Sequence, residues 1–219
     1  MGSLNAPQKV KTLAPEGAHP AMLYSIIDLG TKMDSFQGAT PQPKHEIQLT
    51  WELLDTQMED GKPYVISKAF TVTPSQYEAG AFYFAKTSNI NKLLQKWTGK
   101  DDKVCSKTYT LTDMVHNNTP CTVTVEHIEG RKDASKVYDV IESVKPYKGK
   151  EKLKPFNPRL ILDLDDKLPE GIAPWIVTRR ADCLEFNGGV PARVRDEETQ
   201  ERSTPPPDNG IGYEDFDLR

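Results

Sequence analysis

Cations and flat rings gather at two places in this chain. Lys32, Phe36 and Lys44 lie within residues 30–44, a stretch holding two glycines and two prolines. Arg131 and Lys132 lie in the polar run 129–135, with Lys136 just beyond it. Tyr24 and Lys68 add a ring and a cation from strand-like runs. Such residues do one kind of chemistry well. Lysine and arginine neutralise phosphates, and an aromatic face stacks a base, each stacked base contributing roughly 1–3 kcal/mol. Phe36 stands among polar neighbours with no core to join, so stacking a base and covering the mouth of the fold are both open to it.

Other chemistries find little support. Cys105, His116, Cys121 and His127 are separated by intervals of 11, 5 and 6, unlike the tight pairs of structural zinc sites. Asp163, Asp165 and Asp166 form an acidic cluster without the glycine and closing glutamate of a calcium loop, and read as a solvated turn. No GxSxG, HExxH or phosphate-loop pattern occurs. No catalytic residue, metal or cofactor is expected. Three cysteines without CxxC spacing fit a reduced compartment.

The elements that must position these residues follow from patterning. Residues 1–17 are polar and rich in proline, and read as a flexible lead. Ala21 to Gly30 is a β-branched first strand. His45 to Leu54 is a second, with Ile47, Leu49, Trp51 and Leu53 alternating with Glu46, Gln48, Thr50 and Glu52, one face apolar and one wet. Trp51 falls on the apolar face. Tyr64 to Thr73 is a third strand, where Lys68 interrupts an apolar face and Tyr64 and Phe70 suit either core or groove. Thr87-Ser88 caps a helix carrying Ile90, Leu93, Leu94 and Trp97 at helical spacing, and Gly99 stops it. A shorter turn spans Leu111 to Val115. Residues 120–128 and Lys136 to Val144 are the fourth and fifth strands. The fold class is mainly β, and this order suits a five-stranded barrel of the OB type with its helix between strands three and four. Residues 18–148 form that domain. Residues 149–186, opened by the basic linker Lys148 to Lys154, are a C-terminal extension lying on the barrel.

The net charge of −4 is unevenly placed. Residues 187–219 carry four arginines and eight acidic residues, which accounts for all of it, while the remainder carries 24 of each sign. A neutral body argues against strong duplex binding and permits a narrow basic groove. The acidic segment cannot bury enough surface to offset its ordering entropy and is expected to be disordered. Its Tyr213, Glu214, Asp215, Phe216 and Asp217 suit docking to a basic pocket on a partner. No apolar run is long enough for a membrane span, and the start lacks a signal-peptide pattern, so the expected compartment is the cytoplasm.

Several stretches resemble phage-encoded OB-fold single-stranded DNA-binding proteins. They are Pro15-Glu16-Gly17 leading to Asp28-Leu29-Gly30, then Trp51-Glu52-Leu53, then Lys86 through the helix to Trp97-Thr98-Gly99-Lys100. Pro120-Cys121 to His127 follows, then a closing strand ending in Lys145-Pro146, and last Leu168-Pro169 through Pro174-Trp175-Ile176. The likeness covers roughly residues 15–186. It implies a sequence-nonspecific binder of single-stranded DNA in a bacterial host cell. Such a protein acts in replication, recombination or repair, recruits partner proteins through its tail, and can self-associate. The other reading is an interaction module on the same scaffold without a nucleic-acid role.

Overall fold

A computed structural model describes residues 12–35, 40–74, 82–105, 109–130 and 133–188. Its elements are β1 (Gly17–Asp34), β2 (Gln42–Gln57), β3 (Pro63–Pro74), β4 (Phe82–Tyr83), α1 (Asn89–Thr98), α2 (Asp102–Cys105), α3 (Tyr109–His116), β5 (Pro120–Glu129), β6 (Val137–Pro146), β7 (Leu160–Leu162) and α4 (Pro174–Ala181). The protein is mainly β. Six strands form an antiparallel sheet in the order β4-β3-β2-β1-β5-β6, and β7 joins β1 in parallel.

β1 is the long central strand, and two irregularities bend it. The register with β2 slips between Leu23 and Ser25 and again between Asp28 and Gly30. A bulge changes which face a residue points to. Ala21, Leu23 and Ile26 therefore enter the main core, whereas Ile27 and Leu29 enter a second cluster on the opposite face. The other edge of β1 is shared in the same way. β5 pairs with Gly17 to Met22, and β7 pairs with Ser25 to Ile27.

The main core follows the expected alternation. Ile47, Leu49, Trp51 and Leu53 of β2 are all fully buried. α1 lies across one end of the curled sheet. Ser88 caps it by accepting a hydrogen bond from the Asn91 N–H, and Gly99 ends it in the left-handed region at φ +67°. Ile90, Leu93, Leu94 and Trp97 point inward. The Trp97 ring lies 6.3 Å from that of Trp51, and its Nε1 donates to the Pro120 carbonyl. Ile66, Phe70 and Val72 of β3 meet Ile141 and Val144 of β6 in the same core, yet no backbone ladder joins β3 to β6 among the described residues.

Four features differ from the sequence expectation. β1 runs on to Asp34 and β2 begins at Gln42, so the long loop of residues 30–44 shortens to its tip. The lead-in is docked from residue 12 on. Ala14 is 1% exposed, its N–H donates to Asp139 Oδ2, its carbonyl lies 2.7 Å from His127 Nε2, and Glu16 accepts from the His127 N–H. The two-residue strand β4 and the helix α4 were not anticipated. Finally, the polar row of β2 is not wet. Glu46, Gln48, Thr50 and Glu52 are all buried, Glu52 completely.

The last difference has a clear physical cause. Residues 153–187 form a strap over the outer face of β1 and β2. Leu160, Leu162, Leu168, Ile172, Ala173, Trp175 and Ile176 pack on Ile27 and Leu29. Buried carboxylates need partners, and the strap supplies them.

Candidate nucleic-acid interface

Glu52 is the strap's first anchor. Its Oε1 accepts from the Phe156 N–H at 2.9 Å, and its Oε2 accepts from the Asn157 N–H at 2.8 Å and from Asn157 Nδ2 at 2.7 Å. The second anchor lies at the far end of β2. Asp28 accepts from the Gly30 N–H at 2.8 Å and sits 2.8 Å from His45 Nε2. Glu46 pairs with Arg179 and with Lys32, both at 3.3 Å, and Arg179 also donates to the Gly30 carbonyl. Glu185 accepts from the Thr31 N–H and hydroxyl. Burial works against ionisation of Glu185, but the Thr31 hydrogen bonds outweigh it and hold the carboxyl at about 2. Gly30 is in the left-handed region at φ +71°, and an added Cβ would come within 2.7 Å of Cys183 Cβ. The Asp28-Leu29-Gly30 stretch is therefore a bulge that receives the end of the strap.

This arrangement settles the placement of the basic candidates within the described residues. Lys32 and Lys44 are directly opposite each other across the β1–β2 hairpin. Lys32 pairs with Glu46, and Lys44 pairs with Asp34 at 3.0 Å, holding that carboxyl below the usual range. Lys136 lies 3.7 Å from Asp133 at the β5–β6 turn. Lys68 departs from the expected groove. Lys68 is on the inward row of β3, between Ile66 and Phe70, and its Nζ donates to the Ile141 carbonyl of β6 while lying 5.8 Å from the Phe70 ring centre. Burial lowers its pKa. Tyr24 is half-buried at the first β1 irregularity, where burial and the Glu52 carboxylate raise its hydroxyl pKa. Lys68 is therefore turned away from the outer sheet face, whereas Tyr24 lies within reach of the Glu52 carboxylate beneath the strap. Phe36, Arg131, Lys132 and the tail residues Tyr213, Glu214, Asp215, Phe216 and Asp217 lie outside the described residues.

The run from the end of β6 into the strap carries residues that the sequence presents only as linker and apolar filling. Lys145, Lys148, Lys150, Lys152 and Lys154 are all exposed, with Glu151 the one acidic residue among them, a net charge of +4 over residues 145–154. None of the five makes an ion pair among the described residues, in contrast to Lys32, Lys44 and Lys136. Immediately after them Phe156 is 56% exposed. Phe156 lines a half-open pocket of about 170 Å³, together with Leu53, Leu54, Gln57 and Pro63 on the sheet side and Leu153 and Lys154 on the strap side. The alternation of lysines along the linker is visible in the sequence. The meeting of its last lysine, Lys154, with Phe156 and the ends of β2 and β3 is not.

Among the described residues, no group of three or more His, Cys, Asp or Glu side chains could hold a metal ion, and no helix is long and apolar enough to cross a membrane. No protein-family model matches the chain, and neither a curated protein nor a solved structure matches it.

Proposed function

We propose that the protein binds single-stranded DNA without sequence preference, as a phage-type binding protein serving replication, recombination or repair. In this reading β1, β2, β3, β5 and β6 are the five strands of an OB-like barrel, and α1 is its helix between the third and fourth. The acidic tail around Phe216 recruits partner proteins. The observation that carries the proposal is the cross-strand placement of Lys32 and Lys44 near the loop end of the β1–β2 hairpin. Like charges directly opposite each other cost stability in a sheet. Such a pair is readily kept where a polyanion passes. Their carboxylate partners do not block this use: the half-exposed Lys44–Asp34 pair is worth only about 0–1 kcal/mol, and the buried Glu46 keeps Arg179 when a phosphate takes over Lys32. With the strap in place, the outer face of β2 is closed to a DNA strand, so contact is made at the hairpin ends and along the strap's own surface.

Fluorescence-anisotropy titrations with labelled oligo-dT and with a duplex of equal length test this. Oligo-dT should bind more tightly than the duplex, and the double variant Lys32→Ala, Lys44→Ala should weaken it. Absence of oligo-dT binding at low salt would refute the proposal and leave an interaction module in its place.

A further inference from the structure

Phe156 occupies an unusual position for a large aromatic. More than half of its surface faces solvent, and it belongs to neither apolar cluster. A single exposed apolar side chain is ordinary by itself. Here the backbone beneath it is fixed. The buried Glu52 carboxylate takes hydrogen bonds from the N–H groups of both Phe156 and Asn157. The ring therefore stands on a pinned base, and binding through it costs little further ordering.

Its surroundings specify what it would bind. The adjoining pocket of about 170 Å³ is smaller than the roughly 300–1,000 Å³ of sites for larger ligands, and its walls of leucine and proline, with Gln57 and Lys154 adding polar groups, suit one flat ring that itself carries polar atoms, as a base does. It opens to solvent, as it must if the ring belongs to a polymer. Lys154 forms part of the wall, and Lys148, Lys150 and Lys152 precede it with no ion-pair partner among the described residues. The other side of the pocket leads to the β2–β3 turn, where Glu59 and Asp60 are exposed and Asp60 is held by Lys62. A polyanion is thus attracted to the lysines that lead into Lys154 and repelled by the exposed Glu59.

From this geometry we infer that Phe156 is a base-stacking platform, and that Lys148, Lys150, Lys152 and Lys154 carry the phosphates of the same strand. The inference rests on the proposed single-stranded DNA binding and gives that activity a second contact region, at the opposite end of β2 from the Lys32–Lys44 hairpin. The ligand is a single-stranded polynucleotide, because a duplex keeps its bases stacked on one another and has none to offer the pocket.

The full-length protein is titrated with oligo-dT and with an oligonucleotide of equal length carrying abasic sites. Wild type should prefer oligo-dT. Phe156→Ala should bind oligo-dT about five- to a hundredfold more weakly and lose the preference over the abasic strand, with an unchanged unfolding curve. Lys150→Ala, Lys152→Ala should weaken both strands alike and lower the salt slope, whereas Lys92→Ala, Lys96→Ala, removing two exposed charges from α1, should not. Photocrosslinking of a bromouracil-substituted strand should map to the peptide containing Phe156. Wild-type binding with an unaffected Phe156→Ala and crosslinks confined to other segments would overturn the platform and leave the DNA-binding proposal standing. No binding by wild type would overturn both.

Discussion

Replacing Glu52 tests the anchor that holds the strap and its aromatic in place. The carboxylate accepts three hydrogen bonds at 2.7 to 2.9 Å while fully buried. Hydrogen bonds to a charged group contribute about 1.5–3 kcal/mol each. Phe156 is exposed and Asn157 half-buried, so donors freed by a mutation regain some water and the low end applies. Glu52→Gln keeps one oxygen, which can hold both Asn157 bonds, and sets its NH₂ against the Phe156 N–H. The expected loss is about 1–3 kcal/mol. Glu52→Ala removes every acceptor and leaves a cavity, and should cost about 3–5 kcal/mol. Urea unfolding measures the loss, and limited proteolysis between Lys145 and Lys154 reports detachment of the strap. Glu52→Gln with wild-type stability and a protease-resistant linker would refute the assignment of Glu52 as the anchor.

Four further outcomes are expected. Gly30→Ala should expose Cys183 to a thiol reagent, because the new Cβ meets Cys183 at a left-handed position; all three cysteines are buried in the wild type and should react slowly. A Gly30→Ala variant with wild-type thiol reactivity would show that the strap end is not seated there. Glu185, held at about 2 against an ordinary 4.5, contributes stability that is complete above about pH 4.5 and is lost as the pH falls toward 2. The exchange protection factor of the Thr31 amide, corrected for the intrinsic pH dependence, should fall across that window in the wild type and stay level in Glu185→Gln. Phe36→Ala with Arg131→Ala should weaken oligo-dT binding at least about tenfold while the fold is retained; unchanged affinity would remove the β1–β2 and β5–β6 loops from the interface. Deleting residues 208–219 should preserve or tighten oligo-dT binding and abolish pull-down of replication partners, and continued recruitment would contradict the tail's role.

Local signals carried much of this fold. Ser88 and Gly99 mark the ends of α1 because capping is decided within four residues, and the inner row of β2 is plain because its alternation is strict. What the sequence could not convey was the fate of the other row. Glu46, Gln48, Thr50 and Glu52 read as a solvent face, since alternation says that two faces differ and not what covers them. The partners of the two carboxylates, Asn157 for Glu52 and Arg179 for Glu46, arrive more than a hundred residues later. The bulges in β1 were hidden for a related reason. Ala21 to Gly30 is apolar on both faces because it feeds two cores, so no alternation is left to break. The site suffered most. Charge and aromaticity singled out Lys68, which the strand's inward row claims, and passed over Phe156, whose exposure only the strap reveals.

The central proposal is most directly tested by the affinity of full-length protein for labelled oligo-dT across a salt series. Log affinity should fall linearly with log salt, with a slope of about −0.7 for each phosphate contacted. An anisotropy signal that stays flat at the lowest salt, at protein concentrations that saturate ordinary single-strand binders, would contradict it.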